Sequence, residues 1–507
     1  MNLDRVRNAK RNIFYSLINK IVTLLFPFII RTVLIKEIGA EFLGLNSLFA
    51  SILQVLNLAE LGFTSAVVFS MYKPIAEDDN ETLCAILNFL RIIYLKISLV
   101  MLVAGLVIMP FIPHFIKGTC PNGINLYVLY IIYLLNTCLS YAFFSYKQTV
   151  LTAYQRIDIL NNINTILYLL IYSLQLFIIY TTQNVYLYAF SSIISTAIMN
   201  CLAAIITNKK FPHLVCKGSL SKEIKADIKQ KVSGLMIGKV SGITRNAMDS
   251  IFLSAFLGLV ETAIYNNYYL IMYSVTGFML IIYGSIVAGV GNSVATETVE
   301  KNYEDLKTLN FIYMWISGWF AICLLCLYQP FTALLFGENM LFPFTTVIAF
   351  CCYFYVLKTG DMLSLYVETN GLYWQRRYLA ITEAVCNIFL NYILGKYFGA
   401  LGIVSATTIS LLLTTNSWGA SIVFKNYFKN QRLTEYFGCH LLYLVVTIVV
   451  GIITLKFCDL ISIFSIESLL VKITICTFVP NILFMLVYFK TVQFKKSFQF
   501  LKNIVSL

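Results

Sequence analysis

The chain has 507 residues, of which 59% are hydrophobic and 12% are Asp, Glu, Lys or Arg, with a formal net charge of +13. An average soluble protein carries about 25% charged residues and about 45–50% apolar ones. The 24 acids and 37 bases cannot cover a water-soluble globule of this length, and the mean hydropathy of +0.79 agrees, so the composition is that of a polytopic membrane protein.

A hydrocarbon core about 30 Å thick takes about 20 apolar residues of helix. In chain order the candidate spans are 12–35, 42–71, 84–112, 124–146, 161–180, 185–207, 232–257, 261–292, 309–335, 342–366, 379–395, 400–424, 437–458 and 469–489. Backbone groups in lipid must be satisfied internally, and these runs are too long for barrel strands. An all-α polytopic membrane protein of about 14 transmembrane helices is expected. The basic start (Arg5, Arg7, Lys10, Arg11) leads into a full-length span with no A-x-A site after it, so no cleavable signal peptide is expected.

The bases lie between spans, which argues for topology rather than nucleic acid as the origin of the charge. Twenty-five of them fall in the N-terminal tail, the C-terminal tail and every second connection, and only Lys36, Lys117, Lys396 and Lys456 fall in the others. Both termini are therefore expected in the cytoplasm. The longest polar segment, 208–231, holds seven bases, and its end reads either as a short amphipathic helix on an anionic leaflet or as a solvated linker. The thirteen cysteines suggest neither a disulfide framework nor a metal site; most lie in apolar stretches, and the Cys323/Cys326 pair reads as helix packing. The histidines, His114, His213 and His440, are far apart and form no ligand cluster. No cofactor is expected.

A repeat crosses the linker. Lys20 and Gly39 match Lys239 and Gly258 at an offset of 219, and Glu41 and Asn46 match Glu261 and Asn266 at 220. The same 220 carries Pro110-Phe111 onto Pro330-Phe331 and Tyr154-Gln155-Arg156 onto Trp374-Gln375-Arg376. Six spans per half is an even number, so the halves run parallel, as two six-helix bundles related by a pseudo-two-fold along the membrane normal. The expected organisation is a first bundle at 1–207, a cytoplasmic linker at 208–231, a second bundle at 232–430, and two extra helices with a cytoplasmic tail at 431–507.

The stretch from Gly238-Lys239-Val240 through Asp249-Ser250-Ile251 to Gly258, and on to Ala263-Ile264-Tyr265-Asn266-Asn267-Tyr268-Tyr269, resembles the polysaccharide-transporter branch of the multidrug/oligosaccharidyl-lipid/polysaccharide (MOP) exporter superfamily. Gly39-Ala40-Glu41-Phe42-Leu43-Gly44-Leu45, Leu61-Gly62-Phe63 and the Arg5-to-Arg11 lead fit the same branch. The resemblance is a pattern of scattered residues over spans 1–12, with no diagnostic catalytic signature. It implies two bundles around a V-shaped cavity and an O-antigen, capsule or exopolysaccharide repeat-unit flippase of the bacterial inner membrane. The cargo would be an undecaprenyl-pyrophosphate-linked oligosaccharide; the partners would be membrane lipids and the polymerase and glycosyltransferases of the same pathway, with no nucleic acid.

Such cargo needs a hydrated cationic cavity for its head, and ionisable residues within spans are the candidates. The repeat pairs Lys20 with Lys239; each could face the pyrophosphate or snorkel to the interface. Arg31 lies eleven residues beyond Lys20, on nearly the same helix face, with Pro27 permitting a bend between them. Arg245 with Asp249 and Lys358 with Asp361 are either local pairs or cavity lining. Glu60 and Glu383 have no local partner and, with Asp249 and Asp361, are the candidates for proton or sodium coupling. Arg91 and Lys96 read as snorkelling residues, and Arg156 and Arg376 as lipid-phosphate anchors. Tyr265, Tyr268 and Tyr269 read as interfacial belting or as sugar-stacking rings. The rival readings are a multidrug antiporter, which would favour an acidic cavity, and a lipid II flippase. An enzyme would need an active-site domain or a long outward loop, and the outward loops are too short to hold one.

Overall fold

The computed structural model describes residues 5–57, 62–118, 120–121, 123–429, 431–461 and 465–505. They form helices and turns, with no strand among them. In order these are α1 (Arg5–Glu37), α2 (Ala40–Leu56), α3 (Phe63–Ala76), α4 (Asn80–Ile108), α5 (Leu126–Ala142), α6 (Tyr146–Ala153), α7 (Ile157–Thr182), α8 (Val185–Lys210) and α9 (Lys222–Phe256). There follow α10 (Leu259–Thr296), α11 (Val299–Phe336), α12 (Phe344–Thr359), α13 (Asp361–Thr369), α14 (Arg377–Leu411), α15 (Gly419–Asn426), α16 (Leu433–Asp459), α17 (Ile466–Tyr488) and α18 (Val492–Val505). Ten helices among the described residues are long and apolar enough to cross a membrane, or eleven if a bent pair counts as one span. This is a multi-pass membrane protein.

Helix starts are marked by the short polar residues that can satisfy orphan N–H groups. Asp79 accepts from Thr82 N at 3.0 Å, Asn125 from Tyr127 N and Val128 N, Asn184 from Tyr186 N and Leu187 N, and Ser221 from Ile224 N. Side chains such as Leu99, Val107, Leu170 and Phe177 are more than 60% exposed, a surface that only lipid tolerates over such an area.

Several expected spans are broken. The run 42–71 becomes α2 and α3. The run 124–146 ends early, and α5 meets α6 at a 50° bend. The run 342–366 divides at Gly360 into α12 and α13. The runs 379–395 and 400–424 lie in one 50-residue helical stretch, Arg377–Asn426, whose break at Gly399 (φ 60°, ψ −137°) falls between them as expected, while the second run is loosened to a π-helix over Leu412–Trp418. The end of the expected linker is neither a separate interfacial helix nor a loose tether, since α9 runs unbroken from Lys222 through the run 232–257.

The boundaries recur along the chain. Gly39 and Gly258, 219 residues apart, both take positive φ (118° and 102°) at the turns that open α2 and α10. Helices α7 and α14 open at Ile157 and Arg377, 220 residues apart. By compactness the chain divides into two units, Met1–Ala263 and Ile264–Leu507. In the first, α1 packs on α7, α5 on α8, α4 on α5, and α9 on α2 and α3. In the second, α12 packs on α14, and α11 packs on α12, α16 and α17. The two extra helices are thus anchored on α11, where Trp315 donates to Asn481 Oδ1 at 2.8 Å and Trp319 to the Cys476 carbonyl at 2.8 Å.

Candidate functional site

The first unit holds a cavity of about 390 Å³ lined by hydroxyls, amides and rings. Its polar wall comes from α6, where Ser145, Gln148, Thr149 and Thr152 recur on one face because their spacing matches the helical repeat. Tyr94 and Tyr141 add phenols, and Asn164, Ser195, Thr196 and Asn200 complete the lining from α7 and α8. The bend between α5 and α6 turns these groups inward.

Hydrogen bonds fix the orientation of this wall. Thr64 and Tyr94 hydroxyls lie 2.5 Å apart, Tyr141 donates to Asn57 Oδ1 at 2.5 Å, Gln148 to Asn200 Oδ1 at 2.5 Å, and Thr196 to Asn136 Oδ1 at 2.8 Å. Among the described residues, no Asp, Glu, Lys or Arg lines the cavity. A neutral wall of donors, acceptors and ring faces suits a polyhydroxylated ligand better than an organic cation. Sequence reasoning missed this site because it weighed ionisable groups; the Ser145/Gln148/Thr149/Thr152 spacing was the available signal.

The charged candidates of this unit lie on other helices. Helix α1 docks on α7 through Asn19, which donates to Thr165 Oγ1 at 3.2 Å, and through Phe26, stacked on Tyr172 at 5.2 Å. Lys20 and Arg31 are half-buried on α1, and Arg31 lies within electrostatic reach of Tyr188. The helix runs on through Pro27. Lys239 belongs to α9, with its side chain outside the described residues, as is Glu60 altogether. Arg245 is half-buried on α9, and Asp249 is fully buried one turn further on. Arg91 and Lys96 are exposed, as snorkelling residues would be.

Arg156 does not reach out to lipid phosphate. It pairs with Asp158 at 3.0 Å, and Arg11 reaches the same carboxylate at 2.9 Å. Asn12 accepts from Asp158 N at 2.8 Å and donates to the Gln155 carbonyl at 3.1 Å. The N-terminal basic lead is thus bolted to the α6–α7 turn around a buried carboxylate.

In the second unit the expected Lys358–Asp361 pair is present at 2.7 Å, and Tyr313 donates to the same Asp361 oxygen at 2.5 Å. Lys358 is buried, with Asp361 just beyond the Gly360 break. Glu383 lacks a partner nearby in sequence, but the fold supplies them. Thr415 donates to it at 2.6 Å and Thr414 at 3.4 Å, both from the π-helical segment. Asn416 donates to the Val356 carbonyl at 2.9 Å, an approach that Gly360 permits: a Cβ there would lie 2.8 Å from Asn416 Oδ1. The Arg376 guanidinium folds over Gly419, where a Cβ would lie 2.9 Å from it, and acts electrostatically on Glu383 rather than anchoring to lipid. Asp361 therefore sits just beyond the Gly360 break, and Glu383, in the regular first part of α14, is hydrogen-bonded to the π-helical segment, so each acid touches irregular backbone on which a change of charge could act.

Of the three tyrosines after the expected short loop, Tyr269 is half-buried, while Tyr265 and Tyr268 are withdrawn from both an exposed belt and a sugar platform. Tyr265 and Tyr268 are buried in the second unit, packed on Phe350 at 5.3 and 5.7 Å, and Tyr268 Oη accepts from Phe342 N at 3.2 Å.

No known family profile matches the chain, and no curated protein matches it in sequence. Solved structures do match in fold. The lipid II flippase MurJ in an inward closed conformation superposes with a TM-score of 0.66 at 15% identity, over 94% of this chain and 99% of that one. An inward-facing multidrug resistance MATE family transporter of the MOP superfamily gives 0.62 at 15% identity, over 79% and 94%. An outward-facing MATE transporter gives 0.55 at 16%, over 82% and 95%. These neighbours are transporters and flippases rather than enzymes, and the chain shares the fold of MOP superfamily members.

Proposed function

We propose that this chain is a flippase that moves an undecaprenyl-pyrophosphate-linked oligosaccharide from the cytoplasmic to the outer leaflet of the bacterial inner membrane by alternating access. It would serve O-antigen, capsule or exopolysaccharide synthesis, beside the glycosyltransferases and polymerase of that pathway, with both termini cytoplasmic. The observation that carries the reading is the cavity of the first unit, lined among the described residues by hydroxyls, amides and rings and by no charged side chain. Its 390 Å³ falls within the roughly 300–1,000 Å³ of ligand sites, and its chemistry fits sugar hydroxyls. A pathway for organic cations would favour carboxylates there.

On this reading Lys20, Arg31, Lys239 and Arg245 attend the pyrophosphate, where an ammonium or guanidinium acts more strongly than in bulk water. Asp361 and Glu383, with Glu60 and Asp249, are the residues for proton or sodium coupling. A buried carboxylate that gains or loses a cation changes its hydrogen-bond demand, and Glu383 would pass that change to the π-helical segment through Thr415.

The test is deletion of the gene with separate assay of surface glycan and of lipid-linked oligosaccharide on each leaflet. Loss of surface glycan with repeat units accumulating on the inner leaflet is the expected result. The fold shared with MurJ favours a second reading, lipid II as cargo. Arrested wall growth with lipid II accumulating, and surface glycan precursors unaffected, would select it.

A further inference from the structure

Cys326, Cys458 and Cys476 come from three different helices, α11, α16 and α17, and nothing in their sequence spacing joins them. In the second unit their sulfurs all lie within 4.8 Å of one another, and Cys458 Sγ and Cys476 Sγ are 3.8 Å apart. All three side chains are at most 5% exposed. The Cys323/Cys326 spacing, read from the sequence as packing, was therefore half of a different constellation. Cys326 turns to this cluster, while Cys323 Sγ approaches the Cys476 carbonyl at 3.8 Å.

We propose that this cluster is a binding site for a soft divalent d10 cation of the Zn(II) or Cd(II) type. A metal held at about 2.3 Å from each of three thiolates requires sulfur separations of about 4.0 Å, or about 3.8 Å if the centre is pyramidal. The Cys458–Cys476 pair already has that spacing and the third sulfur lies within 4.8 Å of both, so binding needs the sulfurs to close by at most about 1 Å. A disulfide would instead need two sulfurs to close to about 2.0 Å and would leave the third thiol over. Soft thiolate sets select such cations over the hard cations that prefer oxygen.

Charge balance supports a divalent ion. Three thiols release three protons to water on binding, so the metal–thiolate group carries one negative charge. Lys472 lies four residues before Cys476 on α17, is only 7% exposed, and is within electrostatic reach of Cys458. Its ammonium brings the site to neutrality, which a buried position demands. The site would pin the two extra helices to α11, giving spans outside the repeat a structural role.

The experiment uses the purified full-length chain in detergent, reduced and then freed of reductant, titrated with cadmium chloride alone. A thiolate-to-cadmium charge-transfer band saturating at one ion per chain is expected. Cys458→Ala and Cys476→Ala should each weaken binding more than tenfold, and Cys201→Ala, on α8, should leave it unchanged. Lys472→Gln, which keeps every thiol, should weaken binding about tenfold, and Lys472→Arg should retain it. If an alanine variant fails to fold, the wild-type chain decides: one equivalent of cadmium should give the charge-transfer band and raise the melting temperature. An unchanged melting temperature with no band in the wild-type chain, or a band that survives loss of Cys458 or Cys476, overturns the site.

Discussion

Gly44 on α2 faces a backbone, not a side chain. A Cβ at this position would lie 1.9 Å from the Leu259 carbonyl oxygen, 2.6 Å from its carbon and 3.0 Å from its Cα. Ordinary C···O approaches stop near 3.3 Å, so Gly44→Ala requires the two backbones to part by about 1.4 Å. No rotamer can relieve this. Overpacking of this kind costs up to about 3 kcal/mol, and the better helix propensity of alanine returns about 1 kcal/mol, leaving about 2 kcal/mol lost. At about 2–4 °C per kcal/mol for a unit of this size, the melting temperature should fall by about 4–8 °C. The assay is thermal unfolding of the purified protein in detergent, followed by the helical circular dichroism signal. Gly438→Ala on α16 is the control, because a Cβ there meets nothing within 4 Å; it should match or slightly exceed the wild type. A Gly44→Ala protein that melts with the Gly438→Ala control would refute the close approach.

Under the proposed function, Lys20→Ala and Lys239→Ala should each reduce surface glycan at unchanged protein level, arginine should preserve more function than glutamine, and Lys96→Ala should be nearly silent; wild-type display by both alanine variants would remove the paired-cation idea. Asp158→Asn leaves Arg11 and Arg156 facing a neutral amide, and because both arginines are partly exposed the loss should be about 1–3 kcal/mol, read as a lower melting temperature that a second change, Arg156→Gln, partly restores. Lys358→Met leaves the Asp361 charge without its cation in a buried setting and should cost about 3–5 kcal/mol, whereas Lys358→Met with Asp361→Leu should recover much of that stability without recovering transport. Recovered transport in the double variant would remove Asp361 from the coupling mechanism.

The long helices were legible because an apolar run of span length leaves the backbone few alternatives in lipid. Their interruptions were less so. Gly360 sits inside an apolar run, and the contact at its break is tertiary: Asn416 packed against Gly360 has no trace in the local sequence, whereas the break at Gly399 falls between two runs that the sequence already separates. Among site residues the Lys358–Asp361 pair was readable because its partners are three residues apart. Glu383 with Thr415, Arg11 with Asp158, and the three clustered cysteines join positions far apart in the chain, and a single sequence carries no record of such contacts. The neutral cavity was hidden differently, since serine, threonine and glutamine on an apolar helix bear no charge to draw the eye.

The continuity of α9 bears on how force enters the first unit. Its 35 residues extend about 52 Å as one helix, so the basic segment beginning at Lys222 is a stiff rod continuous with residues 232–257, which the sequence marks as a span. Lys231, held by Asp227 at 2.6 Å and seated over the Phe69 ring at 4.7 Å, steadies that rod where it meets α3. The non-helical stretch before it, with Gly218 at φ 81°, is tied down as well, since Lys147 donates to the Leu214 carbonyl at 3.3 Å and Asn88 to the Gly218 carbonyl at 2.9 Å. Whatever grips the lysines of this rod therefore applies torque directly to α9. Two residues inserted near Lys229 would turn every side chain beyond them by about 200°.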